Sequence, residues 1–65
     1  MMIVVTQRSG EKAAVNTEKI IWVSREEEWN GRCYSHYSLI YCTGCDPLRV
    51  MDTPEEIAEM CNLKY

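Results

Sequence analysis

The stretch from Glu18 to Asp52 constrains this chain most, because it predicts three consecutive strands joined by two tight turns. Asn30-Gly31 fits a type I′ turn, since both central residues of that turn need positive φ and its twist matches that of the flanking strands. Thr43-Gly44 predicts the second turn. We therefore expect an antiparallel meander, with the rest of the chain folded over it.

The flanking segments predict two shorter strands and one helix. β-branched residues before residue 7 favour a strand, and Ser9-Gly10 supplies turn chemistry before the next one. Thr53 fits a helix N-cap, Pro54 the first helical position, and Glu56 completes a capping box. Strands are thus expected at about 2–6, 13–16, 19–29, 32–42 and 47–51, and a helix at about 54–62 that stops at Asn62.

The chain has 65 residues, which indicates a single domain over 1–65. The order of its elements predicts a mainly β protein with one C-terminal helix (α+β), built as a five-stranded antiparallel meander or a small open barrel. A domain of this size buries only about 60% of the surface that its unfolded chain exposes. An oligomer, a metal or a very regular core is therefore expected to stabilise it.

Side-chain alternation divides the fourth predicted strand into two faces. We assign one set to the core, namely Tyr37, Leu39 and Tyr41, and the other to the outer face, namely His36, Ser38, Ile40 and Cys42. The third strand is apolar at four successive positions, Ile20 to Val23, so both of its faces are expected to be covered by the fold or by a partner.

The other elements are expected to present one apolar side to the core. Leu48 and Val50 face inward from the fifth strand by alternation. Helical spacing places Ile57, Met60 and Cys61 on one stripe, which is expected to pack on the sheet.

Charge and hydropathy exclude two classes of partner. The net charge is −3, and the seven Lys and Arg residues are scattered with no two adjacent, whereas a nucleic-acid-binding protein shows a basic face. No stretch approaches the roughly 18 apolar residues of a membrane span. The short apolar start lacks a signal peptide's features, so we expect a cytoplasmic protein with no nucleic-acid or membrane partner.

The spacing of several short motifs is similar to that of a known family. These motifs are Ile3-Val4-Val5-Thr6, Ser9-Gly10, Val15-Asn16, Ile20, Thr43-Gly44, Val50 and Asp52-Thr53-Pro54-Glu55-Glu56-Ile57. The pattern resembles the small bacterial FlbD/SwrD-type flagellar and motility proteins and their uncharacterised relatives, over nearly the whole chain. The region from Glu26 to Ser38 is longer here, and the cysteines are not part of the family pattern. The resemblance implies a small, intracellular, non-enzymatic bacterial protein with no catalytic residues.

Cys42-x-x-Cys45 is the one arrangement that suggests chemistry, as half of a zinc site or as a redox pair. On a straight strand Cys33 would lie about 30 Å from Cys42 and His36 about 20 Å, so only Cys61 could join the pair. A redox role of the thioredoxin type needs a helix N-terminus, whereas this pair lies on a turn. We expect no cofactor, with zinc held by Cys42, Cys45 and Cys61 as the alternative.

Aromatic residues are numerous for so short a chain and include six Trp or Tyr side chains, at positions 22, 29, 34, 37, 41 and 65. Such side chains are enriched at interfaces. Predicted partner-binding residues are therefore Ile21, Trp22, Val23, Trp29, Tyr34, His36 and Ile40. They indicate a non-enzymatic interaction or regulatory module that is expected to be a homo-oligomer, with a dimer as the favoured state. The expected contact is the strand segment Ile20 to Val23 or the outer face of His36, Ser38 and Ile40. The alternatives are a zinc-stabilised module and a phage-type small-ligand binder or inhibitor.

Overall fold

The computed structural model describes residues 1–61, with five strands, one 3₁₀ turn and one α-helix. The elements are β1 (Met2–Thr6), β2 (Lys12–Asn16), a 3₁₀ turn (Thr17–Lys19), β3 (Ile20–Trp29), β4 (Tyr34–Cys42), β5 (Leu48–Val50) and α1 (Pro54–Met60). Only the 3₁₀ turn was not expected from the sequence. The predicted helix stop at Asn62 and the aromatic residue Tyr65 lie outside the described residues.

The strands form two antiparallel sheets, a β1–β2 hairpin and a β3-β4-β5 meander. One bridge joins them where β1 ends, between Gln7 and Val50. Beside it the Met51 N–H donates to the Thr6 carbonyl at 2.8 Å, and the Arg8 N–H donates to the Arg49 carbonyl at 3.1 Å. The predicted α+β class is confirmed. The strands are divided between two linked sheets and do not close into a barrel.

The core lies between the two sheets and α1, and it is almost entirely aliphatic. Its buried members are Ile3, Val5, Val15, Ile40, Val50 and Ile57. β1 contributes two of these side chains, and β2, β4, β5 and α1 contribute one each, so the removal of any one element would expose the side chains of the others. Val50 and Ile57 face inward as predicted, and Leu48, Met60 and Cys61 pack against the same cluster.

The predicted assignment of the two faces of β4 is wrong. Ile40 is 0% exposed and Ser38 1% exposed, so the face assigned to the surface is the core face. Ser38 can be buried because its hydroxyl donates to the Asp52 carbonyl at 2.7 Å. Tyr37, Leu39 and Tyr41 are half-buried on the other face.

Other side chains partly cover that second face. The guanidinium groups of Arg8 and Arg49 lie 4.8 and 5.6 Å from the centre of the Tyr37 ring. Trp22 packs edge-on against Tyr41, with ring centres 5.3 Å apart. The aromatic side chains therefore form a half-open outer layer and the small inner core contains aliphatic side chains only.

The turn after β3 is longer than the predicted two-residue type I′ turn. Trp29 pairs with Tyr34, so residues 30–33 form the loop and β4 starts at Tyr34 instead of residue 32. The Asn30 side chain is the reason: its Oδ1 accepts hydrogen bonds from the backbone N–H groups of Arg32 and Cys33, both at 3.0 Å. Gly31 has a φ of 95°, which favours glycine.

The start of α1 carries the predicted capping box. The Thr53 side chain accepts from the Glu56 N–H at 3.1 Å, and the Glu56 carboxylate accepts from the Thr53 N–H at 3.1 Å. Pro54 occupies the first helical position, where its missing N–H costs nothing. Three residues therefore fix where the helix begins.

We expect Thr53→Ala to lower the free energy of unfolding by about 1 kcal/mol, the usual loss for an N-cap hydroxyl. Chemical denaturation followed by circular dichroism measures this. Thr43→Ala is the matched control, because Thr43 is exposed on a turn and caps no helix. Equal losses in the two variants would contradict the capping role.

Candidate functional site

The candidate site is the outer edge of β3. Within residues 1–61, β3 pairs with β4 on one side and with no strand on the other. At ten residues it is the longest strand of the meander, so the free edge presents a long row of backbone N–H and C=O groups. Such an edge can pair with another chain unless charges, prolines, β-bulges or a covering element protect it.

A β-bulge at the start of β3 determines which side chains this edge exposes. Ile20 pairs with Cys42 but Trp22 pairs with Tyr41, so Ile21 is an extra residue on the β3 side. As a result Ile20 and Val23 both pack against the core, while Ile21 is 69% and Trp22 62% exposed. This bulge resolves the four successive apolar positions of the sequence into two core residues and two surface residues.

A groove of about 490 Å³ runs between the start of β3 and α1. Its walls are mostly apolar, with Ile20, Ile21, Trp22 and Val23 from the strand and Pro54, Ile57, Ala58 and Cys61 from the helix segment. Thr17, Glu18 and Glu55 complete the lining. The groove was not predicted from the sequence, because its presence depends on how far α1 lies from the strand edge. Two features of the sequence relate to it, namely the apolar stripe of the helix at Ile57 and Cys61 and the apolar run from Ile20 to Val23.

The second half of β3 differs from the first because it is charged. Arg25 forms an ion pair with Glu55 of α1, and Glu28 forms one with Arg8. A backbone hydrogen bond and then the Arg25 guanidinium lower the pKa of the Glu55 carboxyl below its ordinary value. Charged side chains discourage edge pairing. The part of the edge without charged side chains is therefore limited to its first residues, Ile20 to Ser24, and the β-bulge at Ile21 interrupts it.

The remaining predicted partner-binding residues lie elsewhere. Trp29 (56% exposed) and Tyr34 (59%) pack together at the tip of the β3–β4 hairpin, with ring centres 5.1 Å apart. Trp29 is seven residues along the strand from Trp22, which is roughly 23 Å. His36 is exposed beside Glu27, with Nδ1 3.6 Å from the carboxylate. The exposed aromatics thus form two separate patches.

Two predicted partner-binding residues belong to the core instead. Ile40 is fully buried, so its assignment to an outer, partner-binding face is wrong. Val23 is half-buried against the core cluster and also lines the groove beside α1. Ile21 and Trp22 are therefore the exposed side chains of the predicted strand segment.

The cysteines occupy three different places. Cys42 and Cys45 lie at the turn after β4, Cys33 is exposed in the loop before β4, and Cys61 packs against the core at the end of α1. Across residues 1–61, no three His, Cys, Asp or Glu side chains come together in a way that could hold a metal ion. The alternative of zinc held by Cys42, Cys45 and Cys61 stays a prediction.

Comparisons with known proteins add no relative to this description. No family model matches the chain, and searches of curated proteins and of solved structures found no significant match. The resemblance to FlbD/SwrD-type proteins therefore stays a hypothesis. Within residues 1–61, no helix is both long and apolar enough to cross a membrane.

Proposed function

We propose that the protein is a non-enzymatic interaction module that acts as a homodimer, with β3 of one copy pairing antiparallel to β3 of the other. The observation that carries this proposal is the uncharged, unpaired start of a ten-residue edge strand with Ile21 and Trp22 exposed on it. A twofold dimer uses the same patch on both copies, which suits a single short segment.

Charge favours one register for this pairing. A twofold axis near Trp22 places Ile20 to Ser24 of the two copies against each other. A longer overlap centred on Arg25 would bring Glu26–Glu28 against 22–24 of the other copy and remove three carboxylates from water, which is costly without partners. The acidic triplet thus limits how far the two strands overlap.

The groove supports the same proposal. It is continuous with the strand edge, and its apolar walls include Ile21 and Trp22 as well as the helix residues Ile57 and Ala58. In the dimer, the exposed side chains at the start of β3 of one copy would cover the groove of the other. Burying them offsets the small core of a 65-residue domain.

The cellular setting belongs to the same proposal. Four cysteines, all described as free thiols, are typical of a reducing compartment such as the cytoplasm. A dimerising module without catalytic groups also fits the intracellular, non-enzymatic role that the FlbD/SwrD resemblance implies.

We expect light scattering at about 100 µM protein, a concentration that saturates a pair of micromolar affinity, to give twice the 7.6 kDa mass of one chain. Trp22→Lys is expected to shift the mass to that of a monomer, because it places a charge on the pairing edge. Trp29→Lys is the matched control: Trp29 is equally exposed but lies at the hairpin tip. A monomeric wild type, or a dimer lost in Trp29→Lys but kept in Trp22→Lys, contradicts the proposal.

A small-ligand-binding role is the second candidate, favoured by the size and apolar lining of the groove. The same experiment separates the two. A monomeric wild type whose groove binds an apolar fluorescent dye, with binding lost in Trp22→Lys, would support the ligand role instead of the dimer.

A further inference from the structure

Two of the cysteines, Cys42 and Cys45, line a second cleft in the surface, separate from the groove beside α1. This cleft has a volume of about 420 Å³ and lies between β2 and the connection from β4 to β5. Cys42 and Cys45 both line it, facing Ala14 and Val15 of β2. Cys45 is exposed and Cys42 is half-buried, so a small molecule in the cleft reaches Cys45 first.

The local backbone brings the two cysteines close together. Thr43 and Gly44 form a turn between them, and Gly44 has a φ of 79°, which favours glycine. The Thr43 N–H donates to the Lys19 carbonyl at 2.9 Å and ties the turn to the start of β3. The ends of a tight turn lie within about 7 Å, and the Cα atoms of a disulfide are about 4.4–6.8 Å apart. The turn therefore holds the pair at disulfide spacing.

The chemical surroundings favour a reaction between these two thiols over metal binding. Burial and then the neighbouring Cys45 thiol raise the pKa of Cys42. Cys42 is therefore the thiol that stays protonated and reacts second. Among the described residues no third His, Cys, Asp or Glu joins them. Structural zinc needs four ligands, whereas a disulfide needs only the pair.

We propose that Cys42 and Cys45 are a thiol–disulfide exchange site that takes a low-molecular-weight disulfide as its oxidant and closes reversibly into an intramolecular disulfide. The Cys45 thiolate attacks one sulfur of the oxidant, forming a mixed disulfide and releasing one thiol. Cys42 then loses its proton to solvent and attacks the Cys45 sulfur, which releases the second thiol. Two protein thiols are oxidised and one disulfide molecule is reduced to two thiols, so electrons and protons balance.

The inference is independent of the proposed dimer and is tested on the full chain with oxidised glutathione. We expect the number of thiols that an alkylating agent modifies under native conditions, counted by mass spectrometry, to fall from four to two. Peptide mapping should place the new bond between Cys42 and Cys45, and a dithiol reductant should restore all four thiols. No change in circular dichroism is expected, because the bond closes only a turn.

Single variants provide the controls. Cys33→Ser and Cys61→Ser should each still lose two thiols on oxidation, since neither residue lines the cleft. Cys45→Ser should lose none through an intramolecular bond, and Cys42→Ser should stop at a glutathione adduct on Cys45. Wild type that keeps four thiols, stops at a glutathione adduct, or forms only intermolecular bonds would overturn the proposal.

Discussion

Ile57→Ala is expected to lower the free energy of unfolding by about 2–5 kcal/mol, the usual cost of emptying a buried aliphatic site. Ile57 is 2% exposed and is the only residue of α1 in the buried cluster that joins the helix to both sheets. Folded domains are stable by only about 5–15 kcal/mol, and small ones lie at the low end. A large fraction of this variant should therefore be unfolded in mild denaturant.

Urea titration followed by tryptophan fluorescence and circular dichroism measures the loss. Glu59→Ala, on the exposed side of the same helix, is the control and should be near neutral. Comparison with Thr53→Ala shows whether packing of Ile57 or the N-cap of Thr53 stabilises the helix more, because loss of the cap is expected to cost about 1 kcal/mol. If Ile57→Ala were near neutral and Thr53→Ala severe, the helix would be held by its cap and not by packing.

The sequence predicted the elements whose signals are local. The start of α1 was predicted correctly because Thr53 and Glu56 hydrogen-bond to each other and Pro54 fits the first helical position, all within four consecutive residues. The five strands were correct in number and order because β-branched runs and glycine turns punctuate the chain. The Asn30-Gly31 turn differed in length because the Asn30 side chain, and not its backbone alone, closes the loop.

The sequence could not decide which face of β4 is buried. Alternation separates the side chains of β4 into the correct two sets, but both sets contain apolar residues. The set with Tyr37 and Tyr41 was assigned to the core because aromatic side chains are large and apolar. The structure places Ser38 and Ile40 inside because the β1–β2 hairpin and α1 leave a thin interior that aliphatic side chains fill. That choice depends on contacts between distant segments, which alternation within one strand does not contain.

The candidate site was predicted only in part, because some of its features also depend on contacts between distant segments. Ile21 and Trp22 were identified from the apolar run, and the structure exposes both. The bulge that separates them from Ile20 and Val23 depends on the pairing register with β4, which is a tertiary property. The groove beside them requires α1 to be in place, so no local pattern could have revealed it.

The second large expected loss of stability comes from a substitution on the buried face of β4. We expect Ile40→Ala to cost about 2–5 kcal/mol, because Ile40 is 0% exposed and its removal leaves a cavity between the sheets. Leu39→Ala is the matched control: the neighbouring residue is similar in size but half-buried on the other face. It should cost clearly less, since water can fill the space that the smaller side chain leaves.

The difference between these two variants tests the register of the meander. Ile40 pairs with Val23 and Leu48, and Leu39 pairs with Ser24 and Arg49, so a slip of one residue would exchange their environments. Urea denaturation of the two variants, measured beside the wild type, gives the two losses. A larger loss for Leu39→Ala than for Ile40→Ala would mean that the aromatic face is the core face. Trp22, which lies beside Tyr41 on that face, would then be buried. The dimer interface proposed at Trp22 would then be wrong.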